Sequence, residues 1–409
     1  MADGSSSAIA RRQFFPVRVR FKSNDATDAY RLRRFGPIME QCIILAGGGH
    51  AHLAVLSDWA EKPFPHTTRW LVTSSRHTTY SGMLPGWMAG IYRAEDLTID
   101  LKPIAEKAGA RLVIADVIGI DPDNKFITLS SGETMAFDLL SLAVGGESNV
   151  SNLAALGDRL LPVRPVGDFV ERWSTFIADF DPGSTDQVVI VGGGAAGVEL
   201  ALGAAAFNHR MSNTVRVSIA ASRDGFLSGH TPRARKRVLK ELNARHINVH
   251  LARAAGTENG LLLSDGTLLA ADLVIAATGS RAPRWLARSG LACNASGFVN
   301  VGADMQSTSH PWIFAAGDIV NRVDRHLDRS GVHAVKSGPV LAANLRAAVD
   351  GSKPLSYCSR HRTLYLLALG NRRAIGTWGS FVATGLWVWR MKDWIDRRFV
   401  RQYAKMGKS

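Results

Sequence analysis

The apolar residues of this chain fall mainly into short continuous runs that end in glycine, and the two clearest runs each lead into a helically spaced stretch. Residues 42–53, CIILAGGGHAHL, pass from an apolar run through three glycines. Residues 188–200, VVIVGGGAAGVEL, repeat the device, with the glycines recurring 145 positions later. A continuous apolar run bounded by turn residues predicts a strand buried on both faces, and the glycines predict a tight turn into a helix. Each copy then carries a second shared pattern: ITLSSGETMAFDLLSLAVGG at 127–146 and LLLSDGTLLAADLVIAATG at 261–279. Both read as a strand, a Ser-Gly or Asp-Gly turn, a second strand, an Asp, and an apolar strand closing on glycine. Two shared patterns in the same order predict two copies of one domain type.

Beyond the copies, WIFAAGDIV at 312–320 predicts a further buried strand, and a helix is expected over 339–349 with Pro339 in its first turn. Residues 232–246 predict a solvated basic helix capped by Thr231, with Pro232 at its first position. From residue 355 onward the pattern shifts to Gly- and Trp-rich strand material, then a helix. Its expected apolar face is Val388, Met391, Ile395, Phe399 and Tyr403, flanked by Trp387 and Trp394 and ringed by Arg390, Lys392, Arg397, Arg398 and Arg401. Such a face suits peripheral attachment to anionic lipid, or docking onto the chain's own domain or a homodimer partner. The expected fold is α/β, with two Rossmann-like dinucleotide-binding domains, one inserted in the other, plus a small C-terminal α+β region. The first domain is expected to span 39–160 and 290–350, the second 161–289, and the C-terminal region 351–409. Residues 1–38 are expected to be a disordered basic extension, or sequence upstream of a reading frame that starts at Met39.

Composition sharpens this picture. Of 409 residues 46% are apolar, enough for two or three cores. The net charge of +14 sits at the ends: residues 1–38 hold eight Lys/Arg against three Asp/Glu, and residues 353–409 twelve against two. The remaining body has 29 basic and 30 acidic residues and shows no basic domain, so nucleic acid is not an expected partner. The basic ends suit contact with the inner face of a membrane, although no apolar run is long enough to span one. Cys42, Cys293 and Cys358 are scattered, which argues against a disulfide framework or structural zinc and for a reducing, cytoplasmic setting. The histidines show no metal-ligand spacing.

The glycine turns carry the chemistry. Gly192, Gly193, Gly194, Ala195, Ala196 and Gly197 match the dinucleotide fingerprint in full, where a tight turn lets the backbone approach a pyrophosphate at a helix N-terminus. The first copy, Gly47, Gly48, Gly49, His50, Ala51 and His52, has His52 at the sixth position, which is expected to loosen the packing of helix on strand. The ribose-binding acid is missing from both copies: Ser74 stands at its place in the first, and Ala221, Ser222 and Arg223 in the second. Arg223 would suit a 2′-phosphate, so NADPH is as well supported as NADH.

With both fingerprints, the glycine-ended strands and Gly317-Asp318 in place, the chain resembles the FAD-dependent pyridine nucleotide-disulfide oxidoreductase superfamily over residues 41–350. YSGMLPG (80–86) is similar to type II NADH dehydrogenases. RHTTYSGMLPGWMAG (76–90), DLTIDL (96–101) and RRAIGTWGSFVATGLWVWRMKDWIDRRF (372–399) more closely resemble flavoproteins found fused or adjacent to selenide, water dikinase. The resemblance implies FAD on the first copy, held by Gly47, Gly48, Gly49, His50, Ala51, Ser74, Arg76, Pro85, Gly145, Gly317, Asp318 and Gly338. It implies NADH or NADPH on the second, held by Gly192, Gly193, Gly194, Ala195, Ala196, Gly197, Arg223, Thr278 and Gly279. Glu199 would face the junction of nicotinamide and flavin, and the helix from Pro339 would aim its positive end at the flavin. Lys336 stands where the quinone-reducing members carry a glutamine, and a cation there would stabilise a reduced flavin anion. No cysteine pair lies where thiol-reducing members need one. The functions implied are an NAD(P)H dehydrogenase passing electrons to a small acceptor such as a quinone, a soluble reductase in selenium or sulfur metabolism, or a flavin-binding regulatory protein with weak turnover.

Overall fold

Each apolar run forms a parallel strand feeding a glycine turn. β1 (Gln41–Ala46) leads into α1 (His50–Glu61), β2 (Thr67–Thr73), β3 (Ala110–Ile114) and β4 (Leu139–Leu142). Then follow β5 (Leu160–Pro162), β6 (Gln187–Val191), α2 (Ala195–Arg210), β7 (Arg216–Ala220), α3 (Pro232–Asn243), β8 (Asn248–His250) and β9 (Leu273–Ala276). After β10 (Ile313–Ala315) come α4 (Gly331–Asp350), β11 (Leu364–Ala368), β12 (Ala374–Trp378), β13 (Phe381–Gly385) and α5 (Leu386–Met406). This computed structural model describes residues 40–179, 186–210, 215–327, 329, 331–358 and 363–407. The basic extension expected at 1–38 lies outside them.

The strands form two five-stranded parallel sheets of matching order, β10-β4-β1-β2-β3 and β5-β9-β6-β7-β8. The outermost strand of the first sheet is drawn from beyond the second sheet, whose own strands are contiguous in the chain. A three-stranded antiparallel sheet, β11-β12-β13, packs with α5. The architecture is therefore α/β with two Rossmann-like sheets and a small α+β region. β1 and β6 are buried along most of their length, as continuous apolar runs in parallel sheets require.

The duplication extends to individual hydrogen bonds. The Asp before each closing strand clasps the start of the first strand of its sheet: Cys42 N–H donates to Asp138 at 2.8 Å, and Gln187 N–H donates to Asp272 at 2.8 Å. The serine of each turn pattern clasps a residue beyond the third strand. Asp116 N–H donates to Ser130 Oγ at 3.2 Å, and Arg253 N–H to Ser264 Oγ at 3.2 Å. The patterned Asp and Ser therefore fix the register of the sheet and its loops. Thr231 caps α3 through Ala234 N–H at 3.3 Å, as its position beside Pro232 predicts.

His52 departs from expectation in an informative way. In the second copy a Cβ at Gly197 would fall on the Gly192 carbonyl oxygen, so that glycine permits close packing of helix on turn. In the first copy His52 fills the corresponding space and is 1% exposed. Its Nδ1 lies 2.6 Å from the Gly47 carbonyl and its Nε2 lies 2.9 Å from Ser141 Oγ. A carbonyl only accepts, so Nδ1 carries the proton and Nε2 accepts from the serine. His52 thus straps helix, turn and β4 together instead of loosening them. Burial lowers its pKa to about 4, with the Gly47 carbonyl opposing that shift. The unfolded imidazole titrates near its ordinary 6.5, so the unfolded chain binds the extra proton between these values. Stability is full above pH 6.5 and falls as pH drops toward 4, by on the order of 3 kcal/mol in all. Urea melts of the protein and of His52→Asn across pH 4–7 should show a flatter pH dependence in the variant.

α4 begins at Gly331, so Pro339 lies inside the helix and not in its first turn. Ala334, Ser337 and Gly338 are buried ahead of it, and this packing extends the helix past the local proline signal. α5 also differs from its expected face. It buries Val388, Lys392, Asp396, Phe399, Val400 and Tyr403, while Ile395 is exposed and Met391 only half-buried. The Lys392–Asp396 pair is what turns this face inward.

Candidate active site

Both glycine turns open onto one cavity of about 1810 Å³, whereas an ordinary small-molecule pocket holds roughly 300–1,000 Å³. The space therefore suits two large ligands. The first turn contributes Gly47, Gly48, Gly49, His50 and Ala51 to the wall, and the second contributes Gly192, Gly193, Gly194, Ala195 and Ala196. Ser74, Pro85, Gly145, Gly317, Asp318 and Lys336 join the first half, and Thr278, Gly279 and Glu199 the second. Left-handed φ values of +98° at Gly47 and +130° at Gly192 shape the turns. A Cβ at Gly145, Gly194 or Gly279 would meet no protein atom within 4 Å, so open space lies where a ligand backbone must approach. α1 has Gly49 as its N-cap, with no side-chain cap and no acid in its first turn. Its free N–H groups and positive dipole end are left for an anion such as a pyrophosphate.

Four residues expected at the site lie off this wall. Arg76 pairs with Asp100, its Nε 2.9 Å from the carboxylate. Gly197 faces the Gly192 carbonyl. Gly338 sits at a helix crossing, where a Cβ would lie 2.7 Å from Ala54 Cβ and 2.9 Å from the Ala51 carbonyl. Arg223 stands exposed in the short 3-10 turn after β7 and does not line the cavity, whereas its neighbour Ser222 lines it and accepts from Gly225 N–H.

The cavity wall also holds a polar cluster assembled from four distant stretches. Glu199 on α2 accepts Ala368 N–H at 2.7 Å. Burial raises its pKa to about 7, against the opposing charge of Lys392 and the Ala368 bond. Lys392 on α5 donates to the Gly82 carbonyl and to Asp396, each at 2.7 Å. Burial works against its charge, but Asp396 and Glu199 outweigh burial and hold the ammonium above its ordinary range. Asp396 is pushed up by burial against the pull of Lys392, and it accepts the Tyr80 hydroxyl at 3.2 Å. Tyr80 stacks on Phe399 at 4.5 Å and lies 5.4 Å from His50, whose basicity is lowered by burial. Asp318 in turn accepts Arg164 Nη2 at 2.8 Å, which ties the first half of the wall to the turn after β5 of the second sheet. Arg164 carries no local motif, and the stretches 76–90 and 372–399 that hold Tyr80, Lys392 and Asp396 assign these residues no role by resemblance alone. Their signal is a polar residue interrupting an apolar face, and it becomes legible only once the partner elements are assembled.

Two open glycine turns facing one cavity, with a carboxyl of raised pKa in its wall, suit a protein that binds two dinucleotides. The family described as pyridine nucleotide-disulphide oxidoreductase matches residues 41–339, and the chain belongs to that family. It is 26% identical over 278 residues to demethylphylloquinone reductase NdbB of Synechocystis sp., covering 64% of this chain and 67% of that one. It is 27% identical over 289 residues to human ferroptosis suppressor protein 1, covering 66% and 72%. NDH2 from Plasmodium falciparum has the same fold, with a TM-score of 0.76 at 14% identity over 90% of this chain and 98% of that one. The protein is an FAD-dependent NAD(P)H oxidoreductase without a redox-active disulfide. Its three cysteines are unbonded, and burial, with Asp138 and Glu40, raises the Cys42 thiol to about 11.

Proposed function

We propose that the protein is an NAD(P)H:quinone oxidoreductase working at a membrane surface. FAD would lie on the first half, held by the first glycine turn, Ser74, Pro85, Gly145, Gly317 and Asp318. NAD(P)H would lie on the second, held by Gly192–Ala196, Thr278 and Gly279. The bound pair supplies two-electron carrier chemistry, and the chain supplies position, charge and protons. α4 directs its N-terminal end into the cavity wall at Gly331, and Lys336 adds a cation on the same wall. Glu199, poised near neutrality, takes up and yields a proton at its carboxyl group. Lys392 offsets the charge when the carboxyl is ionised, and Asp396 with Tyr80 holds Lys392 in place.

The observation that supports a quinone is the position of this cluster beneath an aromatic face. Ile395 and Asp396 line the cavity, while the adjacent Trp394 is 60% exposed, Trp387 58% and Phe381 62%. Arg390, Arg398 and Arg401 surround them. No helix among the described residues is long and apolar enough to cross a membrane, so the contact is peripheral, with aromatic rings at the headgroup level and cations toward anionic lipid. Three curated relatives support this reading, one named as a demethylphylloquinone reductase and two as NADH dehydrogenase-like proteins of Mycobacterium tuberculosis.

The test is an anaerobic stopped-flow titration. NADH or NADPH should bleach the bound flavin, and a soluble quinone analogue should restore its colour. A flavin that neither nucleotide bleaches would overturn the reading. Restoration by selenite and not by quinone would move the acceptor to the selenium chemistry that the resemblance raises. Glu199→Gln should slow reoxidation by quinone about 100-fold and remove the inflection near pH 7. The same variant should gain stability above pH 7. A carboxyl raised from 4.5 to about 7 keeps its proton longer when folded, so the wild type loses stability as pH climbs through that window.

A further inference from the structure

The two copies place residues of opposite charge at the same structural position. Asp116 follows β3 and Arg253 follows β8. Each N–H donates to the turn serine of its copy, and each carbonyl accepts that serine's N–H at 2.8 Å, Ser130 for Asp116 and Ser264 for Arg253. Both side chains are exposed and both line the cavity. Neither makes an ion pair with any described residue, so each charge is available to a ligand in the cavity.

The surroundings assign a use to Arg253. Its loop lies beside the end of β7, where Ala221 N–H bonds the His250 carbonyl at 2.9 Å. The end of β7 is where a carboxylate would bind a ribose diol and repel a 2′-phosphate, and here it carries Ala221 and Ser222. The stretch of wall made by the second glycine turn, Ala220–Ser222, Gly225, Ser228 and Ala252–Ala254 contains Arg253 as its one charged side chain among the described residues. In the first half the equivalent position is a carboxylate, which suits a free ribose diol and excludes an added phosphate. Arg223 is exposed and does not line this stretch of wall.

We propose that Arg253 is the specificity-determining residue of the second half and that it selects NADPH over NADH by binding the 2′-phosphate. The inference rests on the reading that the second half holds the nicotinamide nucleotide. A guanidinium presents a planar pair of donors to phosphate oxygens, a charge-assisted contact that the 2′-hydroxyl of NADH cannot match.

Calorimetry of the flavin-loaded protein with 2′,5′-ADP and 5′-AMP isolates the phosphate without turnover. The wild type should bind 2′,5′-ADP about 10- to 100-fold more tightly. Arg253→Ala should bring the two affinities together and Arg253→Asp, which copies the first half, should favour 5′-AMP, while Arg223→Ala leaves the preference intact. Equal wild-type affinities, or a preference that survives Arg253→Ala or disappears in Arg223→Ala, would overturn the assignment. Flavin reduction separates the two levels of the argument. If NADH and NADPH reduce the flavin equally well, only the Arg253 assignment fails, whereas failure of both nucleotides removes the reading on which it rests.

Discussion

Lys392→Met should cost about 3–5 kcal/mol of stability, the range seen when one member of a buried ion pair is removed. The ammonium is the positive centre of a site that otherwise holds two buried carboxyls, and it also bonds the Gly82 carbonyl. Without it, Asp396 keeps only the Tyr80 hydroxyl, and burial, no longer opposed by the ammonium, pushes both Asp396 and Glu199 further up. Quinone-dependent turnover should fall with it, and its pH optimum should move upward. The double variant Lys392→Met/Asp396→Leu should recover most of the lost stability, because an apolar pair replaces an ionic one at little net cost, yet it should not recover turnover. Urea melts of the single and double variants measure the first part, and pH–rate profiles measure the second. A single variant within about 1 kcal/mol of the parent would mean that water reaches the cluster, since exposed pairs contribute no more than this.

Substitution of the second glycine turn should separate folding from ligand binding. Gly192 has φ +130°, and a Cβ there would fall on the Ala277 carbonyl oxygen. Gly192→Ala therefore combines left-handed strain with a backbone clash and should cost about 3 kcal/mol or more. Gly194 lines the same cavity but meets nothing within 4 Å. Gly194→Ala should leave the melting curve within about 0.5 kcal/mol of the parent while weakening NAD(P)H binding at least about tenfold, as the methyl occupies the approach to the pyrophosphate. If Gly194→Ala melts early and still binds NAD(P)H normally, the turn serves only the fold.

The pattern of apolar runs and glycines was enough to identify the doubled α/β architecture, because burial on both faces of a parallel strand and a left-handed turn are local demands. Asp138 and Asp272 were visible as a repeated residue, although their task of clasping Cys42 and Gln187 needed the sheets assembled. The site was legible only where it is made of backbone. Tyr80 and Asp396 meet across 316 positions, and Arg164 and Asp318 across 154; neither pair leaves a spacing signal. Lys392 reads as one of the cations around the apolar face because a lone charge on a helix is ordinarily exposed, and only its pairing with Asp396 lets both turn inward. Arg223 drew attention by sequence proximity to the end of β7, yet the loop after β8 reaches the cavity instead. Arg253 lies 11 positions before Ser264 whereas Asp116 lies 14 before Ser130, so the copies pair these residues only once the serine hydrogen bonds are seen.

The order of strands also sets a timetable for synthesis. β4 closes one side of β1 early, but its other neighbour, β10, begins only at Ile313. At ribosomal rates of about 5–20 residues per second, the nascent first sheet waits on the order of ten seconds with β4 as an unpaired edge. The second sheet has no such delay, since β5 through β9 emerge in one continuous stretch and can pair as they appear. Vectorial folding should therefore complete the later-encoded half first, leaving the amino-terminal half as the client that a ribosome-bound chaperone must shield.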